Sequence, residues 1–125
     1  MGTVGFEQLS VYQLAEKLAD HIWKIVKRWE TFDRNTVGGQ LIRSADSIGA
    51  NVAEGTGRGS FQDNRRFIRI ARGSLYETRH WLRRAYHRKL LTAKEVNSLK
   101  PIVDELGPKL NAYLRSVGTT SKSTD

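Results

Sequence analysis

Cysteine is absent from the 125 residues of this chain, and proline occurs only twice. Without thiols the fold has neither a disulfide nor a thiolate metal site, which is typical of proteins of the reducing cytoplasm. No apolar run reaches the roughly 18 residues that a membrane helix needs, and the first basic residue is Lys17. The sequence therefore predicts a cytoplasmic protein of one domain, with no membrane span and no signal peptide.

Acidic residues are scarce in one segment of the chain. Between Arg58 and Lys89 there are ten basic residues and two acidic ones, and this excess of eight equals the net charge of the whole chain. The remaining residues are neutral overall, although the protein has a pI near 10.1. A basic segment of this kind favours an acidic partner such as nucleic acid.

Motifs of common catalytic and nucleotide-binding sites are also missing. The glycine-rich stretch GTGRGS, residues 55–60, lacks the lysine and the preceding strand of a phosphate-binding loop. We interpret it as a corner between two helices, in which Gly55 is a left-handed cap and Ser60 starts the next helix. Glu77 and His80 match half of a di-iron motif, but the chain has no second copy. We therefore expect no enzyme, no cofactor and no metal.

Apolar residues repeat at helical spacing in four segments, 10–29, 36–54, 61–88 and 92–117. The residues between the first two segments, 30–35, interrupt this repeat. Four amphipathic helices with short connections predict an all-α fold, an antiparallel up-down-up-down four-helix bundle. The bundle domain is expected over residues 6–117, followed by a flexible polar tail over residues 118–125.

Capping chemistry predicts where three of these helices begin. Each start has a serine or threonine whose hydroxyl can accept from the amide three residues later. The side chain of that later residue can accept from the amide of the serine or threonine in return. The pairs are Ser10 with Gln13, Ser60 with Asp63, and Thr92 with Glu95. In the fourth helix, Pro101 and Pro108 fall on the solvent side. Whether that helix breaks at Gly107 and Pro108 is left open by the sequence.

The third helix carries most of the cations. Five of its arginines fall within about 80° of one another at 100° per residue, and a tyrosine lies among them. Guanidinium groups pair with phosphates and a tyrosine can stack on a base, so we predict a nucleic-acid-binding surface. The alternatives are a solvated face or pairing with acidic residues of another subunit. The predicted contacts are Arg58, Arg65, Arg66, Arg69, Arg72, Tyr76, Arg79, Arg83 and Arg84.

The helices also carry more apolar surface than a four-helix core requires. Large apolar side chains extend the apolar faces of the first and third helices at their edges. Together they favour a subunit interface in a homo-oligomer. The predicted interface residues are Tyr12, Trp23, Phe61, Ile70, Trp81 and Tyr86.

Three segments, 6–19, 44–60 and 67–78, resemble the signature of a family of small bacterial four-helix-bundle proteins. Its members include proteins encoded in intervening sequences of large-subunit ribosomal RNA genes and the accessory variability determinants of diversity-generating retroelements. The resemblance implies a homopentameric ring with a basic surface. In the retroelement branch it further implies an accessory subunit of a reverse transcriptase complex that binds template RNA or cDNA. The alternative is an intervening-sequence-encoded scaffold that docks protein partners. Gly49 departs from the pattern, since many relatives have proline there.

Overall fold

The computed structural model describes residues 5–119, and within this range it contains helices and no strand. The four long helices are α1, Ser10–Val26, α2, Gly39–Thr56, α3, Phe61–His87, and α4, Ala93–Ser116. The all-α fold expected from the periodicity is therefore confirmed. None of the helices in the described part of the chain is long and apolar enough to cross a membrane.

The four helices enclose one hydrophobic core. Each helix packs mainly against two others, in the order α1, α2, α3, α4 and back to α1. Leu18, Ile48, Leu75 and Leu106, one from each helix, are fully buried in this core. Because apolar surface leaves water at all four helix faces, burial in the core is the main stabilising contribution to the bundle.

The beginning of α1 differs from the predicted capping box. Leu9 is the residue that precedes the helix, and no side chain caps it. Ser10 already belongs to the first turn, and the Gln13 side chain donates instead to the carbonyl oxygen of Glu7 at 2.9 Å. This bond ties α1 to the helical turn Phe6–Gln8 that precedes it.

The segment predicted to interrupt the helices, 30–35, is largely helical, so this prediction was wrong. Helical structure starts at Thr31, passes through a π-helical segment at Arg34–Gly38, and continues into α2 without a break. Val37 and Gly38 are both buried in the π segment. A wider turn therefore replaces the expected loop, and it lies against the end of α1.

The glycine-rich stretch lies at the corner between α2 and α3, but Gly55 is not a left-handed cap. Gly55 is buried within α2, which ends at Thr56, and Gly57 caps the helix with a φ of −86°. A Cβ atom on Gly55 would lie 2.4 Å from Oδ1 of Asn64 and 3.1 Å from Cβ of Phe67. Any larger residue here would displace Asn64 and press on Phe67, because α3 approaches α2 closely. At the start of α3, the Ser60 hydroxyl accepts from the Asp63 amide at 3.1 Å, as predicted.

Helix α4 starts and continues as its sequence suggests. Thr92 and Glu95 form a complete capping box. The helix does not break near Pro108, because Pro101 and Pro108 both lie on the exposed side, where their missing N–H groups leave the buried side intact. Most of the predicted polar tail, from residue 120 onward, lies outside the described residues.

Candidate nucleic-acid interface

Helix α3 is the longest element of the fold, and its 27 residues extend for about 40 Å. One side of it is buried against α2 and α4 through Ile68, Ala71, Leu75 and Ala85. The other side faces solvent and carries most of the arginines. The helix therefore acts as a rigid support that fixes the spacing of its charged side chains.

Three arginines and one tyrosine lie exposed along this side, and we call them the arginine row: Arg69, Tyr76, Arg79 and Arg83. Their spacings of seven, three and four residues place them on one face over about 21 Å. The Arg79 guanidinium lies 5.7 Å from the centre of the Tyr76 ring. Among residues 5–119, no acidic side chain forms an ion pair with any of the three arginines.

Two arginines predicted to belong to this surface form hydrogen bonds within the bundle. Arg65 is half-buried and donates to the carbonyl oxygen of Val117 at 2.9 Å. Arg72 is half-buried as well and donates to Oδ1 of Asn111 at 3.0 Å. Arg72 therefore joins α3 to α4, and Arg65 joins α3 to the residue that follows α4.

Arg58 and Arg66 surround one phenylalanine ring near the start of α3. Their guanidinium carbons lie 4.6 Å and 4.7 Å from the centre of the Phe67 ring. Arg58 also pairs with Glu54 at 3.1 Å, and Arg66 with Asp63 at 3.3 Å. These partners neutralise part of the positive charge predicted at this end of the surface.

Arg84 lies beside the arginine row and is half-buried. It forms no ion pair among residues 5–119. Its neighbours on α3 are Arg83, which is exposed, and Ala85, which is fully buried. Arg84 therefore lies at the edge of the predicted surface rather than in the row.

Glu77 serves as a structural partner on α3. It forms an ion pair with Arg43 of α2, and it accepts from the indole N–H of Trp81 at 3.2 Å. His80 stacks edge-on against Trp81, with ring centres 4.8 Å apart. No group of three or more histidine, aspartate or glutamate side chains in the described part of the chain is arranged to hold a metal ion.

The six residues predicted to form a subunit interface divide into two groups. Tyr12 and Trp81 are half-buried and pack against the core of their own chain. The exposed group is Trp23, Phe61, Ile70 and Tyr86, with between 42% and 54% of each residue accessible. Phe32 was not among the predicted residues, yet it is 77% exposed in the helical turn before α2. A single aromatic outside the periodic segments gave no signal in the sequence.

An acidic groove lies between α1 and α2. Glu16, Asp20 and Asp46 line it together with small residues and Tyr12. Partial burial and the neighbouring Asp20 raise the pKa of Asp46. In the cyclic order of packing, this groove lies on the opposite side of the bundle from the cleft between α3 and α4. Carboxylates therefore line the groove between α1 and α2, whereas Arg79 and Arg83 line the cleft between α3 and α4.

Comparisons with known proteins agree with this fold. The model of the 23S rRNA-intervening sequence protein family matches residues 7–112. The fold is similar to the crystal structure of a protein of unknown function from Bacteroides thetaiotaomicron, of the S23 ribosomal protein family, with a TM-score of 0.75. The two sequences are 24% identical. The similarity covers 85% of this chain and 96% of that one. A search of curated proteins gave no match. The chain belongs to the family of 23S rRNA-intervening sequence proteins.

Proposed function

We propose that this protein binds nucleic acid without catalysis, through the arginine row of α3. The observation that carries the proposal is that Arg69, Arg79 and Arg83 are exposed on one helix face with no acidic partner among residues 5–119. Like charges at these spacings repel one another on an isolated helix, so a row without acids is destabilising unless anions bind to it. Phosphate groups are the anions that guanidinium groups pair with most directly.

The arrangement favours contacts to the sugar-phosphate backbone over contacts to base edges. The row lies on the outside of a packed bundle, and phosphate contacts of this kind carry no sequence information. Tyr76 is 57% exposed within the row, where its ring can stack on an unpaired base. We therefore expect poor discrimination among sequences and a preference for strands with unpaired bases.

Salt dependence tests this function. If the three arginines neutralise three phosphates, the slope of log K against log salt is expected to be about −2 to −3, since each contact contributes about −0.7 to −0.9. Fluorescence anisotropy with labelled 20-mer RNA, DNA and duplex at several salt concentrations measures this slope. Equal affinities for oligonucleotides of unrelated sequence are expected. Absence of binding at low salt, or binding whose affinity does not change with salt, would contradict the proposal.

We further infer that the helices run in an up-down-up-down order and that subunits assemble into a ring, with five subunits as the family resemblance implies. The short connections between consecutive helices support the first inference. Exposed Trp23, Ile70 and Tyr86 support the second, as does the separation of the acidic groove from the basic side. Opposite charges on opposite sides suit head-to-tail contacts, which form a ring when the rotation between neighbouring subunits closes and a filament when it does not.

Light scattering coupled to size exclusion tests the assembly. We expect a mass of five chains of 14.2 kDa that stays constant on dilution. Trp23 is 54% exposed in a single chain. If it lies at the interface, its fluorescence should be quenched less by a soluble quencher than this exposure predicts. A mass of one chain at every concentration is the result that excludes a ring.

The acidic groove favours one alternative, a scaffold that docks basic protein partners and has no direct role on nucleic acid. Glu16, Asp20 and Asp46 provide an acidic surface for such a partner. Nucleic-acid binding through the arginine row does not use this surface. The narrower role in a reverse transcriptase complex, with template RNA or cDNA as the ligand, has support from the sequence resemblance alone. Co-purification with a reverse transcriptase encoded beside the gene distinguishes that role from the scaffold.

A further inference from the structure

Helices α3 and α4 enclose a groove near the loop that connects them. It has a volume of about 300 Å³ and extends along Arg79–Tyr86 of α3 and Val96–Val103 of α4. Each range covers two helical turns, about 10 Å. Leu91, in the connecting loop, contributes to the lining at that end. The groove is therefore short, and its lining reaches the connecting loop.

Aliphatic side chains form the floor and walls of this groove. Leu91 and Leu99 are buried at the floor, while Leu82, Val96 and Val103 are half-buried along the walls. The Tyr86 hydroxyl is the only neutral polar side-chain group in the lining. A nucleobase placed here would lose hydrogen bonds to water without replacing them. An aliphatic chain loses none and gains from leaving water.

Cations surround the mouth of the same groove. Arg79, Arg83 and Lys100 are exposed members of its lining. Lys100 pairs with Asp104 at 2.7 Å, whereas the two arginines have no acidic partner among residues 5–119. The mouth therefore keeps a positive charge directly beside an apolar interior.

We propose that this groove binds a small anionic amphiphile, a straight-chain alkyl carboxylate. The alkyl chain lies against Leu82, Leu99 and Val103, and the carboxylate pairs with Arg83 and Arg79. The length of about 10 Å suits a short alkyl chain, and Arg79 and Arg83, which have no acidic partner among residues 5–119, suit a negatively charged head group. Pockets of about 300 Å³ are at the lower end of the range for small-molecule sites. This inference does not depend on nucleic-acid binding.

Titration of the full-length protein with hexanoate and octanoate, below their micelle concentrations, tests the site. Each methylene that enters the groove is expected to raise the affinity about fourfold, so octanoate should bind about fifteen times more tightly than hexanoate. Octan-1-ol and octylammonium have the same chain without the negative charge, and both should bind more weakly than octanoate. Methyl NMR signals of Leu82 and Val103 should shift during the octanoate titration.

Arg83 and Arg88 are both exposed near the end of α3, so their replacement provides a test variant and a control of equal charge. Arg83→Gln should remove the preference for octanoate over octan-1-ol, whereas Arg88→Gln, which lowers the net charge equally but lies outside the lining, should preserve it. Equal effects of the two variants would overturn the proposal, and so would equal affinities for hexanoate and octanoate. Shifts of the Leu82 and Val103 methyl signals that follow protein concentration rather than octanoate would assign the groove to a second copy, and would also overturn it.

Discussion

Replacing Arg69, Arg79 and Arg83 together by glutamate is expected to lower the affinity for polynucleotides by on the order of a thousandfold at about 0.1 M salt. Each replacement removes an attraction of about 1 kcal/mol at contact distance in water and adds a repulsion of similar size. Even after screening, the sum approaches the roughly 4 kcal/mol that a thousandfold change requires. The three side chains are exposed, so the fold should be retained. Anisotropy measures the affinity, and circular dichroism verifies the fold.

A second triple variant separates the position of the charges from their total. Lys17, Arg28 and Lys94 are exposed, lie outside the arginine row, and form no ion pair among residues 5–119. Their replacement by glutamate changes the net charge by the same amount and is expected to weaken binding only slightly. If both triple variants lose the same affinity, binding depends on net charge alone, and α3 has no special role.

The second large effect concerns stability. Gly55→Val is expected to destabilise the fold by about 3 kcal/mol, since overpacking of a close helix contact costs about 1–3 kcal/mol and a β-branched residue adds crowding within the helix. The displaced atoms have little room, because Asn64 Oδ1 is buried and the backbone oxygen of Asn64 lies 3.2 Å from the added Cβ. Urea denaturation measures the change in the free energy of unfolding.

Gly73 provides the matched control for Gly55. It is exposed within α3, and a Cβ atom at this position would have no neighbour within 4 Å. Gly73→Ala is therefore expected to stabilise the protein by about 0.5–1 kcal/mol through the lower backbone entropy of the unfolded chain. The two substitutions should shift the urea midpoint in opposite directions. Equal stability of Gly55→Val and the parent protein would show that α2 and α3 can separate at this point without cost.

Local chemistry explains which parts of the fold were predictable from the sequence. Ser60, Thr92 and Glu95 form their caps with residues three positions away. Ser10 and Gln13 have the same spacing but form no cap, because Gln13 donates to the carbonyl oxygen of Glu7 instead. The solvent-side position of Pro101 and Pro108 likewise follows from the period of a single helix. Such contacts are encoded within one turn, and the predicted starts of α3 and α4 agree with the structure.

Contacts between helices could not be predicted in this way. The angular positions of Arg65 and Arg72 on α3 place them in the same stripe as Arg69. Those positions give no information about Asn111 of α4 or about Val117 just after it, which accept their hydrogen bonds. The sequence gives the position of the charged segment along the chain. It does not show that Arg65 and Arg72 are half-buried, so fewer arginines of α3 are exposed than the stripe suggests. Gly55 was assigned to a turn because its actual neighbours belong to another helix.

The π-helical segment Arg34–Gly38 affects how the gene can change in length. A π turn holds one more residue than an α turn, so it is structurally equivalent to a single insertion within a helix. Loss of one codon here leaves a regular α-helix, and Leu41 and Ile48 keep their orientation toward the core. Loss of one codon between Leu41 and Ile48 instead rotates the following residues by about 100° and exposes the apolar face. Natural length variation among homologues should therefore be tolerated at Arg34–Gly38 and not within the rest of α2.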